Sequence, residues 1–186
     1  RDAPDPECGE HEVLVDVQAA GINFADVMAR MGLYPDAPPL PCVVGYEVAG
    51  IVRAVGASVR EFQPGQRVVG LTRFGGYASV VAGPVQHFVP LPDGVDVETA
   101  AAIPVNYLTA WLMLRRQASV RAGERVLVHS AAGGVGQAAM QICRSVGARV
   151  VASASAGKHA RLREAGAMAC VDSRADDVVA RVREIT

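Results

Sequence analysis

The sequence predicts a mixed α/β chain in two parts: a small bent barrel of short strands, then part of a doubly wound parallel sheet. Three observations carry this. Glycines at 45, 50, 56, 65, 70, 75 and 76 cut the stretch up to residue 90 into short apolar runs, the pattern of a strongly curved barrel. After Asp93-Gly94 the character changes to alanine-rich helical spacing. Arg125 to Val151 then reads as apolar strand, small-residue turn, helix and second apolar strand, with Ala138, Ala139, Ile142, Cys143 and Val146 at helical spacing.

Each element follows in order. Residues 1–10 are polar and proline-rich, a linker or strand remnant. In Glu12–Gln18, Val13, Val15 and Val17 alternate with Leu14 and Asp16, a half-buried strand. Asn23–Met31 suits one or two helical turns with Asn23 as N-cap. Tyr34–Pro41 holds four prolines and must be irregular. Strands are expected at Val48–Val55, Gln66–Leu71, Tyr77–Val81 and Val85–Pro90. Val97–Ile103 is helical until Pro104 breaks or kinks it. Asn106–Gln117 is a second helix, apolar on most sides through Leu108, Trp111, Leu112 and Leu114, and therefore expected to be largely buried. A helix near Lys158–Ala165, a strand at Ala169–Asp172 and a last helix from Asp176 follow the nucleotide strands. From Arg125 onward that makes three strands and three helices.

Composition excludes several classes. The 186 residues are 51% hydrophobic and 20% charged with a net charge of −1, a globular composition with material for a sizeable core. Near-zero net charge gives no support for a nucleic-acid partner. No apolar run is long enough to span a bilayer. Cys8, Cys42, Cys143 and Cys170 lack C-x-x-C or Cys/His spacing, which argues for free thiols and a cytoplasmic setting.

The turn reads A-x-G-x-x-G through Ala131, Gly133 and Gly136, with an extra glycine at Gly134. Gly133 would let the backbone approach a pyrophosphate, and Gly136 would let the helix pack close to the strand. The helix N-terminus then offers N–H groups and a partial positive charge to the phosphates. An ordinary tight βα turn is the plain alternative. The strand-turn-helix context favours the dinucleotide.

The stretch from Gly123 to Gly136, GERVLVHSAAGGVG, with Gln141 and Arg144, resembles the signature of the medium-chain dehydrogenase/reductase superfamily in its zinc-free quinone oxidoreductase (zeta-crystallin-like) branch. Residues 20–26 (AGINFAD), 32–35 (GLYP) and Gly65-Gln66-Arg67-Val68 agree, and Asn106-Tyr-Leu-Thr-Ala is similar to the vesicle amine transport protein subgroup. The resemblance implies a GroES-like β-barrel (catalytic) domain over 1–105 and a partial NADP-binding Rossmann domain over 106–186, with the active site between them. It also implies that the chain is a piece of a longer, homodimeric protein. The piece alone is then expected to be inactive as a reductase. Ala169–Asp172 is expected as a central strand with its partner absent, an open edge that favours oligomerisation.

No metal is expected. Zinc-dependent relatives place a cysteine where Asn23 stands and a histidine in a Gly-His-Glu triplet that here is Gly45-Tyr46-Glu47. Amide and phenol are poor zinc ligands. His11, His87, His129 and His159 have no i,i+4 partner. Glu47 reads instead as a buried hydrogen-bonding residue supporting the site.

The cofactor expected is NADPH. NAD enzymes place an acid about 20 residues past the first glycine to hold the ribose 2′-OH. Here Ala152–Lys158 holds Ser153, Ser155 and Lys158, and no acid appears before Glu164. An acid against a 2′-phosphate would cost on the order of a few kcal/mol at contact distance. Lys158 has a second reading as a solvated helix-start lysine. The expected cofactor contacts are Ala131, Gly133, Gly134, Val135, Gly136, Ser153 and Lys158. Thr109 joins them at the nicotinamide edge by resemblance.

No Ser-His-Asp set and no close carboxylate pair is visible, so the cofactor carries the chemistry while the protein positions and polarises. Asn23 and Tyr34 lie in segments that in relatives face the nicotinamide, and Tyr46 sits at the lost zinc position. Each could donate to a substrate oxygen as charge builds there. The competing readings are an N-cap for Asn23 and packed aromatics for the tyrosines. The expected activity is hydride transfer from NADPH to a small-molecule quinone or α,β-unsaturated carbonyl (enone). The alternatives are a non-enzymatic NADPH-binding protein and a zinc-free alcohol or carbonyl reductase.

Overall fold

The computed structural model describes residues 3–175 and 177–186, and the chain divides into two compact units, Arg1–Val105 and Asn106–Thr186. Arg1, Asp2 and the expected helix start at Asp176 lie outside the described residues.

The first unit is an antiparallel sheet in the order β4-β1-β2-β3-β5, built from β1 (Glu12–Ala20), β2 (Glu47–Val55), β3 (Arg67–Leu71), β4 (Val80–Pro84) and β5 (Phe88–Pro90). Register shifts between Leu14 and Val15 and between Val17 and Ala19 bend β1 against β2. Gly50 lets the two backbones close, since a Cβ there would stand 2.0 Å from the Asp16 carbonyl oxygen. The sheet curls far enough for the Phe88 ring to lie against both Gly70 in β3 and Gly83 in β4. Val13, Val15, Val48, Val52, Val68, Val81 and Phe62 fill the interior with it. This is the expected barrel.

Two expected strands differ. The stretch after Gly75-Gly76 does not enter the sheet until Val80, because the N–H groups of Gly75, Gly76 and Tyr77 bond to Val43, Gly45 and Val44. Val85–His87 is a 3₁₀ turn, leaving only Phe88–Pro90 extended.

Helix α1 (Phe24–Arg30) follows β1, and α2 (Val97–Ala101) is capped by Asp96, whose carboxylate accepts from the Thr99 N–H at 2.7 Å. The helix from Val97 ends before Pro104, as expected, and Pro104 also opens the next one. It is the first residue of α3 (Pro104–Trp111), where a missing N–H costs nothing. Beyond Trp111 the winding changes to a π-helix over Leu112–Gln117. The expectation of a buried helix here is overturned: Leu108, Trp111 and Leu112 are exposed, and only Ala110 and Leu114 are buried. The packed stripe is one residue wide, and the wider π turn moves the following side chains off a 3.6-residue period.

The second unit is parallel, in the order β6-β7-β8, from β6 (Arg125–Val128), β7 (Arg149–Ala154) and β8 (Ala167–Asp172). Helices α4 (Gly134–Ser145), α5 (His159–Glu164) and α6 (Val178–Ile185) complete it. Ala138, Ala139, Met140 and Cys143 of α4 pack with Val128, Val150, Ala152 and Leu162. The strand order corrects one expectation. In the doubly wound order 3-2-1-4-5-6 these strands take places one, two and three. In the described sheet β7 is the central strand, and β6 and Ala167–Asp172 stand at its two edges.

Gly136 controls how closely α4 meets the turn after β6. A Cβ there would lie 2.6 Å from both the Ala131 Cα and the Ser130 carbonyl oxygen. Gly136→Ala should lower stability by about 1–3 kcal/mol in urea unfolding, the usual cost of overpacking. An unchanged midpoint would mean that the helix and turn do not touch.

Candidate functional site

Two groups of residues converge, one in each unit, and each is described by itself.

In the first unit a buried carboxylate organises the group. Glu47 opens β2 and is 0% exposed. Its carboxylate accepts from the Asn23 side-chain amide at 2.8 Å and from the Val105 N–H at 2.8 Å. Burial raises its pKa above the ordinary carboxylate value, and the two hydrogen bonds pull the other way. Gly21 leaves room for it, since a Cβ there would stand 2.3 Å from Glu47 Oε1 and from the Ala101 carbonyl oxygen.

A second buried acid, Asp26 at 3% exposure, ties the neighbouring loop down. It accepts from the Asn23 N–H at 2.7 Å, the Gly45 N–H at 3.0 Å and the Tyr77 hydroxyl at 2.9 Å. Burial and that bond push the Tyr77 phenol up to about 12. Gly45 has φ +109, a conformation that favours glycine, and Thr72 Oγ1 donates to its carbonyl at 2.9 Å. The segment Gly45-Tyr46-Glu47 is therefore held from both sides.

Tyr46 emerges from that segment. Its ring meets Tyr34 edge-on at 5.9 Å and Phe74 at 4.9 Å. Its hydroxyl is buried with no well-formed hydrogen bond among the described residues. Burial first, and then the nearby Tyr34 phenol, push its pKa well above the usual phenol value. It stays protonated at neutral pH, able to donate but not to act as a base. Asn23 takes the N-cap reading by position. It precedes α1 at the N-cap position, and its amide is turned to Glu47. Among the described residues, no three of His, Cys, Asp and Glu come together where they could hold a metal. Sequence reasoning missed Asp26 and Tyr77. The signal for Asp26 was an acid three residues into a short helix beside a candidate N-cap.

In the second unit the glycine turn leaves β6 through Ser130, a non-glycine residue at φ +51. Ala131 is buried, and its N–H bonds to the Ser153 carbonyl at 3.1 Å, fastening the turn to β7. Gly133 precedes α4, and Gly134, Val135 and Gly136 are its first turn, whose N–H groups have no partner within a helix. Gly134 admits the Asn106 amide, which lies 2.4 Å from where a Cβ would stand.

Beside the turn is a cavity of about 220 Å³ lined by Ser130, Ala132, Gly133, Ala154, Ser155, Lys158, Ser173 and Arg174. Two cations and three hydroxyls surround it, and among the described residues no carboxylate lines it. Ser153 does not reach it. Its side chain is 1% exposed and its hydroxyl is unpartnered among the described residues. Ser153 is held inside β7, which ends at Ala154, whereas Ser155 lies past the strand end at the start of the Ala156–Lys158 turn and reaches the cavity. Thr109 is half-buried on α3 and is not in the lining. Arg174 and Ser173 escaped the sequence reading. They follow the C-terminal end of β8, where ligands bind in such sheets.

Known proteins agree with this architecture. The alcohol dehydrogenase GroES-like domain matches residues 9–93, and the zinc-binding dehydrogenase domain matches residues 134–186. The synaptic vesicle membrane protein VAT-1 homolog of Rattus norvegicus is 43% identical over 187 residues, which is 100% of this chain and 46% of that protein. The chain thus spans about half the length of the curated relatives it matches. Among solved structures, Escherichia coli quinone oxidoreductase complexed with NADPH superposes with a TM-score of 0.93 at 37% identity, covering 100% of this chain and 57% of that one. CurK enoyl reductase superposes at 0.94 and 34%, covering 100% and 58%. The chain belongs to the medium-chain dehydrogenase/reductase superfamily, in the quinone oxidoreductase-like branch near the VAT-1 homologues.

The buried acid makes a pH prediction. The fold binds the Glu47 proton more tightly than the unfolded chain does, because its folded pKa is raised. That contribution is fully present at acid pH and is lost as pH rises through the folded pKa. Urea unfolding from about pH 4 to 8 should therefore lose stability more steeply in the native chain than in Glu47→Gln. Parallel profiles would mean that the Glu47 pKa is not raised.

Proposed function

We propose that this chain carries the dinucleotide loop and part of the substrate site of a metal-independent NADPH oxidoreductase, one that reduces a quinone or an α,β-unsaturated carbonyl. The observation that carries the reading is the cavity with Lys158, Arg174, Ser155 and Ser173 beside the glycine turn. A 2′-phosphate needs cations and donors and rejects carboxylates. The cavity lining meets both conditions. The open first turn of α4, at Gly134, Val135 and Gly136, suits the pyrophosphate. The E. coli quinone oxidoreductase of similar fold was solved with NADPH.

When bound, NADPH supplies the hydride. This chain's residues hold the dinucleotide and polarise the acceptor. The Asn23 amide has two N–H groups; one is committed to Glu47 and the second is available for a substrate oxygen. The Tyr34 phenol is a further donor, its ring set edge-on against that of Tyr46. Glu47 and Asp26 keep Asn23 and the Gly45-Tyr46 segment in place, so little reorganisation is needed as negative charge develops.

Binding measurements test this directly. Lys158→Ala and Arg174→Ala should each weaken NADPH by about tenfold or more, since a charged hydrogen bond contributes ~1.5–3 kcal/mol. NADH affinity should change little. Equal losses for the two cofactors in calorimetric titrations would mean that these cations do not meet a 2′-phosphate.

A further inference from the structure

We propose that a groove beside Tyr34 binds an apolar tail of the substrate, so that the quinone or enone taken at the barrel site carries a hydrophobic chain. This rests on the function proposed above and adds the second half of the substrate.

The groove lies between the C-terminal end of α1 and the proline-rich loop and encloses about 430 Å³. Ala29, Leu33, Tyr34, Pro38, Pro39 and Leu40 line it, and among the described residues no charged side chain does. That volume lies within the range of small-molecule sites, about 300–1,000 Å³. The prolines fix their own φ angles, so the walls are preformed. A charged or strongly polar ligand would find only the Tyr34 phenol as a side-chain partner.

Tyr34 is the shared wall that joins groove to site, because its ring also packs edge-on against Tyr46 at 5.9 Å. Helix α1 sets the spacing. Asn23 precedes its first residue, and the groove begins at its last turn with Ala29. Seven residues of helix span about 10 Å. A ring held by its carbonyl at Asn23 therefore reaches the groove with a tail roughly that long.

The test is equilibrium binding to the 186-residue chain. The probes are a tetrasubstituted benzoquinone bearing a decyl tail and the same ring with a methyl group in its place. The decyl compound should bind at least about tenfold tighter, the gain expected from burying a leucine-sized apolar group. Leu33 and Leu40 are 56% and 58% exposed, so Leu33→Asp and Leu40→Asp should fold, as circular dichroism can verify. Both should erase most of the difference between the two probes. Val89→Asp, an exposed position on β5, should preserve it. Equal affinity of the two quinones, with the ring still lost in Asn23→Ala, would overturn the tail site and leave the proposed function standing. A loss in Val89→Asp as large as in Leu40→Asp would overturn it as nonspecific adhesion. Dimerisation driven by the decyl compound, seen by sedimentation, would overturn it in favour of a second copy at the groove. If neither quinone binds, the substrate reading itself falls, and the tail site with it.

Discussion

Glu47 is a carboxylate in a place where water cannot reach it, and the first unit is built around that constraint. A buried charge must find donors or stay protonated. The donors come from Asn23, before α1, and from Val105, at the start of α3, so one side chain of β2 joins three segments. Removing one partner would leave the others facing an unmatched group, the kind of loss that commonly costs about 1–3 kcal/mol. Asp26 repeats the device one layer out, gathering the Asn23 and Gly45 N–H groups and the Tyr77 hydroxyl. These two acids fix the backbone on either side of Tyr46. Hydrogen bonds to carboxylates thus organise the segment that carries Tyr46.

The second unit obeys a different constraint, close approach of backbone. Gly136 and Ala131 are in contact, Ser130 adopts a left-handed conformation, and the Ser153 carbonyl receives the Ala131 N–H. Small residues let the turn descend onto the sheet and aim the first turn of α4 outward. Ser130, Ser155 and Ser173 then collect with Lys158 and Arg174 at the C-terminal ends of the strands. The parallel topology, not any single motif, brings these positions together from three separate loops.

Much of this was legible in the residues. The glycine turn and its flanking periodicities specified β6, α4 and β7, because each rule there is local. Glu47 as a buried hydrogen-bonding acid was expected from the resemblance, which places Asn23 and Tyr46 where zinc-dependent members carry ligands. What escaped depended on contacts distant in sequence. Tyr77 reads as a strand residue until Val44 takes its N–H. Leu108, Trp111 and Leu112 read as core until packing selects a single stripe of the helix. Ser153 and Ser155 are interchangeable by type, and only the end of β7 at Ala154 separates the buried one from the one at the cavity. Arg174 carries no motif at all and is placed by the strand it follows. The edge position of β8 required the pairing order, which residue pattern does not encode.

The proposed recognition of a 2′-phosphate at the second unit can be tested without the nicotinamide. Amide shifts of the labelled chain would be followed by NMR while ADP-ribose and its 2′-phosphorylated form are titrated in turn. Both ligands should move Ser130 to Gly136, since both carry the pyrophosphate. Only the phosphorylated form should strongly move Ser155, Lys158, Ser173 and Arg174 and bind the tighter of the two. Identical shift patterns and affinities for the two ligands, or shifts that avoid the glycine turn, would contradict the assignment of this cavity.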